Sequence, residues 1–164
     1  MSSYATAGSP QSFSPLDFSY DFSLPYSELA HLFLEVRTQM KLYHWQTQSY
    51  ARHKATDRFI ETFEPLVDRF VETAQGILTA EVPSPTDDEQ PDEQRIENYG
   101  YLTSQQQQVV AAFSGPVNDN NAKKFLSTFS IFMSRVKLPQ SELAQIRDDM
   151  LEITDVTLYL FTLK

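Results

Sequence analysis

Apolar residues recur at intervals of three and four along one early stretch of the chain: Leu29, Leu32, Phe33, Val36, Met40 and Tyr43. That period places them on one stripe of an α-helix. Ser27 is its candidate N-cap, Glu28 suits the first turn, and the pattern ends near Ser49. A second helix is predicted from Tyr50 to Gln75, its inward face formed by Phe59, Ile60, Phe63, Val67, Phe70 and Val71 and its stop supplied by Gly76. Pro65 lies inside this helix, removes a backbone donor and predicts a kink or a split. A third helix is predicted over Ala122 to Val136, with Phe125, Phe129, Phe132 and Met133 inward. After a tight link at Pro139, a fourth runs from Ser141 to the chain end with Leu143, Ile146, Met150, Ile153, Leu158 and Phe161 on its apolar side.

The remaining segments break this rhythm. Within residues 77–100, VPSPTDDEQPDEQ is rich in Pro and acids and reads as a solvated loop. Thr103 to Phe113 reads as a short helix, and Ser114 to Asn121 breaks it. Residues 1–25 are Ser- and Pro-rich, lack helical period and read as an extended or disordered arm. Phe13, Phe18, Tyr20 and Phe22 punctuate that arm, a spacing suited to insertion into pockets of a protein partner. The organisation is therefore an arm, 1–25, and a helical domain, 26–164, carrying an acidic crossover insertion, 77–120. Short links join helices one to two and three to four, and one long crossover joins two to three. Those lengths predict an all-α, ferritin-like four-helix bundle.

Composition narrows the function. A chain of 164 residues with 41% hydrophobic content fits one domain with its own core. Its net charge of −9 argues against direct nucleic-acid binding, which needs a cationic footprint, but permits cation storage or a basic partner. With no Cys, thiolate metal sites, disulfides and cysteine nucleophiles are excluded. No basic n-region leads into an apolar run, so a secretory signal is not expected. No stretch approaches 18 apolar residues, so no membrane span is expected either. The sequence holds no phosphate-cradling glycine motif.

The candidate chemistry is concentrated in YHWQTQSYARHKATDRF, Tyr43 to Phe59, which holds the single Trp and two of the three His. His53 and Asp57 are four residues apart and share a helix face; Asp68 and Glu72 are again four apart. Eleven residues separate Asp57 from Asp68, a rotation that returns to within about 20° on an α-helix. All four lie on one stripe, with His44 near the junction of the first two helices. Imidazole and carboxylate without sulfur suit iron, manganese or zinc. The two pairs are about 16 Å apart along the axis, too far for one ion bonded at about 2 Å. Two copies of the second helix, antiparallel about a two-fold axis, would bring His53 and Asp57 of one chain to Asp68 and Glu72 of the other. The spacing asks for a homodimer or a larger homo-oligomer.

HW, a short gap, H-x-x-x-D-x-F and then D-x-x-x-E resembles the signature of the Dps proteins, the mini-ferritins. The resemblance implies an intersubunit ferroxidase centre with iron as the metal, held by His44, His53 and Asp57 of one chain and Asp68 and Glu72 of its neighbour. The gap from His44 to His53 is three residues shorter than is usual in Dps, and the basic DNA-binding tail of many Dps proteins is absent. KLYHWQTQSYARHKATD together with IRDDMLEITDVTLYLFTL is similar to an uncharacterised ferritin-like family of giant DNA viruses. That resemblance implies a viral protein, in the virion or the host cytoplasm.

Other readings compete. His44 and Trp45 also read as a core pair closing the bundle end. His53 and Asp57 read as an i,i+4 surface hydrogen bond, and Asp68 and Glu72 as a solvated stripe paired with Arg58 and Arg69. One E-x-x-H pair, Glu28 and His31, falls short of the two that an intrachain di-iron site needs, and His31 reads as surface. In the structural alternative the bundle is a non-catalytic scaffold, and the arm 1–25 binds other proteins such as capsid or virion components.

Overall fold

The computed structural model describes residues 24–80 and 109–163. The arm and most of the acidic crossover lie outside them. The described chain is all-α: α1 spans Tyr26–Gln46, α2 Tyr50–Ala80, α3 Ala122–Arg135 and α4 Ser141–Leu160. Residues 109–111, in the crossover, are helical. None of the helices is long and apolar enough to cross a membrane.

Several boundaries differ from the sequence reading, each for a local reason. Helix α1 starts one residue before Ser27: the carbonyl of Pro25 accepts the amides of Glu28 and Leu29, both at 3.1 Å, so Pro25 takes the cap position without a side-chain bond. It ends at Gln46, where Thr47 turns extended and donates its amide to the Tyr43 carbonyl. Ser49 then caps α2, its Oγ accepting the amide of Arg52 at 3.3 Å. Helix α2 is not split at Pro65 and does not stop at Gly76; it continues to Ala80. Pro65 is exposed, so water can satisfy the carbonyl that its ring leaves without an amide. Gly76 has no positive φ, the conformation a glycine stop requires.

Contacts fix the helix directions. Tyr26 meets Phe70, Phe33 meets Phe63, and His44 meets His53, so α1 and α2 are antiparallel. Arg69 pairs with Asp149 at 3.3 Å, while Arg58 and Val156 line one groove, so α2 and α4 are antiparallel as well. Ser130 donates to Asp155 at 2.8 Å, and Arg147 to the carbonyl of Val136, which closes α3 back on α4. Helices α2 and α3 therefore run parallel, and the chain between them must travel the length of the domain.

Of the expected inward residues, Val71 and Leu158 are half-buried against the core and the rest are buried, among them Phe33, Phe63, Phe70, Phe129 and Met150. Phe33 touches Phe63, Phe70 and Phe129 edge-on, joining α1, α2 and α3. Phe113 enters from the crossover and packs edge-on against Phe125, Phe129 and Phe132. Such pairs add about 0.5–1.5 kcal/mol each beyond the area they bury.

A histidine pair at the α1–α2 turn

The turn between α1 and α2 is three residues long, which forces the end of one helix against the start of the next. His44 and His53 stack there, ring centroids 3.9 Å apart and planes 23° from parallel. His44 Nδ1 lies 3.2 Å from the backbone carbonyl of His53, and His53 Nδ1 lies 3.0 Å from that of His44. A carbonyl oxygen only accepts, so each Nδ1 carries a proton, and Nε2 is the nitrogen that holds the lone pair in the neutral form of either ring. That is the arrangement in which imidazole serves as a metal ligand.

Thr56 supports the pair from within. Its fully buried hydroxyl lies 3.0 Å from His44 Nδ1 and 2.9 Å from the carbonyls of both Arg52 and His53. Asp57 Oδ1 lies 3.8 Å from His44 Nε2. His53 and Asp57 form no hydrogen bond, so their four-residue spacing does not act as a surface pair; the carboxylate faces His44 across the helix junction instead. His44 is buried at 7% exposure, whereas Trp45 is 67% exposed with Lys41 Nζ 5.7 Å from its ring centre. The two residues are therefore not a core pair.

Asp68 and Glu72 are exposed on α2, beyond the reach of this cluster. Arg69 does not neutralise them: it pairs with Asp149 on α4, and among the described residues neither Asp68 nor Glu72 has a hydrogen-bond or ion-pair partner. Among the described residues of one chain, no three His or carboxylate groups converge closely enough to hold a metal ion. One chain thus offers two imidazoles and one carboxylate at the turn, and two further carboxylates elsewhere on the same helix. Glu28 is 3% exposed, and burial raises its carboxyl pKa. His31 is half-buried rather than a surface residue.

Asp119, in a stretch that reads from sequence only as a helix breaker, is the polar anchor of this end. Its Oδ1 accepts the hydroxyls of Thr47 at 2.6 Å and Tyr43 at 2.7 Å, and its Oδ2 accepts the amide of Gln48 at 3.3 Å. Arg52 donates to the Asp119 carbonyl at 2.6 Å and to the Tyr43 hydroxyl at 3.2 Å, and lies over the ring of Phe161. The Thr47 hydrogen bond, with help from Tyr43, Gln48 and Arg52, holds the Asp119 carboxyl below its ordinary pKa. Burial pushes the Tyr43 phenol up. The network staples the end of the crossover to the turn that carries the histidines. The only sequence signal for it was the Asn/Asp-rich turn NDNN, a type of stretch that hydrogen-bonds nearby backbone.

Residues 44–114, which open on His44 and contain all five candidate ligands, match the model of a family of unknown function (DUF5856). No curated protein and no solved structure matches the chain.

Proposed function

We propose that the protein is a Dps-like, ferritin-like metal-binding protein that oxidises and stores iron at a site shared between two subunits. The observation that carries this reading is the stacked pair His44 and His53, each ring tied by Nδ1 to a backbone carbonyl and each Nε2 left as the lone-pair atom. Asp57 would complete the set on one chain, and Asp68 and Glu72 of the partner subunit would supply the rest. The parallel run of α2 and α3 across a long connection supports the ferritin-like topology. Bound iron would supply one-electron chemistry with dioxygen or peroxide. The chain's own part is to fix the imidazoles, supply charge-balancing carboxylates and keep ligand orientation through Thr56. Nitrogen and oxygen donors would also accept manganese or zinc.

Metal content after aerobic Fe(II) addition and gel filtration tests this. One or two iron ions retained per subunit, abolished by His53→Ala combined with Asp57→Ala, is the expected result. Folded protein that retains no metal, or full retention in the double variant, sinks it.

A second reading rests on the exposed aromatic surface beside the pair, Trp45 at 67% and Tyr50 at 77% exposure. In that reading the domain is a structural scaffold, in a virion for example, and this surface with the arm 1–25 binds other proteins. Deleting residues 1–25 would spare iron oxidation but cripple an assembly protein.

A further inference from the structure

The link between α3 and α4 alternates strictly: Arg135, Lys137 and Pro139 are exposed, and Val136 and Leu138 are buried. A period of two marks an extended segment with one face on a core. The backbone at Val136 is extended, with φ −67° and ψ 122°. Together with Ser134 and Arg147, these residues line a surface pocket of about 410 Å³, its rim carrying Arg135, Lys137 and Arg147 and no carboxylate. Three of the 13 cations thus meet at one pocket of a chain whose net charge is −9. Arg147 is fixed there: it donates to the Val136 carbonyl at 2.8 Å and to Asp148 at 2.7 and 2.9 Å, so Asp148 offsets part of its charge.

The described chain begins beside this pocket. The Tyr26 hydroxyl donates to Gln140 Oε1 at 2.7 Å, one residue past Pro139, and Leu24 packs against the core. Residues 1–23 precede it and hold Asp17 and Asp21 but no Lys or Arg. Their last stretch, DFSYDFS, also alternates: Phe18, Tyr20 and Phe22 stand at even positions, as Leu24 does, and the two acids at odd ones. In an extended chain residues two apart share a face, so the aromatics fall on the side that Leu24 turns to the core and the acids on the other. We propose that residues 17–23 occupy the pocket of their own chain, laid along the α3–α4 link, with Phe22 on Val136 and Leu138 and Asp21 against Arg135 and Lys137. Aromatic then meets aliphatic inward and acid meets cation outward, the pairings that stabilise neighbouring strands. Reach permits it: three residues separate Asp21 from Leu24 and Lys137 from Gln140, about 10 Å each when extended. The acidic crossover, over 81–97, has the charge but no aromatic residue alternating with it. The arm that the scaffold reading offers to other proteins is thus held by its own domain, and a partner must displace it to bind.

Chymotrypsin tests the docking, because Phe18, Tyr20 and Phe22 are its sites. In the native full chain these bonds are expected to be cut at least about fivefold more slowly than in a free peptide of residues 10–25, since only the undocked fraction is a substrate. Arg135→Glu with Lys137→Glu should remove that protection. Asp17→Lys with Asp21→Lys should do the same, each rate referred to a peptide with the same change. All four changes in one chain should restore it. Cutting confined to the arm, with the bonds after Phe63 and Phe129 intact, shows that each variant is folded. Protection independent of protein concentration supports docking within one chain. A wild-type arm cut as fast as the peptide, protection that survives either reversal, or four changes without recovery overturns the proposal. Protection lost on dilution also overturns it, by placing the segment on a second copy. So does exposure of Tyr99 and Tyr101 rather than the arm when Arg135 and Lys137 are reversed, which would give the pocket to the crossover. None of these readouts involves metal, so the outcome stands apart from the iron reading.

Discussion

His44 and His53 hold each other: each ring donates its Nδ1–H to the other residue's backbone carbonyl, at 3.2 and 3.0 Å, while the two rings stack. The exchange locks the end of α1 to the start of α2, and the Thr56 hydroxyl, 3.0 Å from His44 Nδ1, adds a second contact on that ring. Because it uses the same nitrogen on each ring, it leaves the same nitrogen of each for a ligand.

Asp119 makes this end of the domain sensitive to acid. Its carboxyl is held below its ordinary pKa, chiefly by the Thr47 hydroxyl. A depressed native pKa means that the stabilisation is present above the unfolded value, about 4, and is lost as pH falls through the native value. Asp119→Asn is therefore expected to lower stability at neutral pH by about 1 kcal/mol, because water screens the charge-assisted hydrogen bonds of a side chain 40% exposed. It should also flatten the decline of stability below about pH 4. Urea unfolding at a series of pH values checks both; a variant with an unchanged pH profile would show that the decline comes from other carboxylates.

Gly76 offers a test in the opposite direction. It lies inside α2 with ordinary helical φ, and a Cβ built there meets nothing within 4 Å. Gly76→Ala should raise stability by about 0.5–1 kcal/mol, because alanine restricts the unfolded chain and has the higher helix propensity. A rise in the urea midpoint with unchanged slope is the expected reading. A fall would mean that the α2 end needs glycine for a contact beyond its own chain.

The helices were legible because burial is periodic: Phe33, Phe63, Phe129 and Met150 announce their faces by spacing alone. Boundaries were less so, because the residues that looked like signals were overruled by packing. Gly76 reads as a stop and Pro65 as a break, yet Phe63, Val67, Phe70 and Ala74 bury one face across Pro65, and Ile77 continues it past Gly76, packed against the same core. At the site, the His44–His53–Asp57 cluster was legible from spacing, but its internal partners were not. Thr56 looks like any helix threonine, and Asp119 lies 75 residues beyond His44 in a stretch with no period. Contacts between residues far apart in sequence leave no local pattern to read.

Thr56 is the sharpest probe of whether the histidine geometry serves a ligand. Its buried hydroxyl contacts His44 Nδ1 and returns its proton to a backbone carbonyl of its own helix. Thr56→Val keeps the shape and removes the hydroxyl. Stability should fall by about 1 kcal/mol, the net worth of one hydrogen bond. If the rings hold metal, affinity should fall further, about 10- to 100-fold, as it does when a partner that orients a ligand is lost. Thr56→Ser keeps the hydroxyl and should restore affinity while leaving a small packing deficit. Quenching of Trp45, the single tryptophan and the neighbour of His44, by Co(II) reports binding directly. Equal affinity in the Val and Ser variants, with stability lowered in both, would assign Thr56 to the fold alone; weak binding in Val and recovery in Ser would assign it to the ligand site.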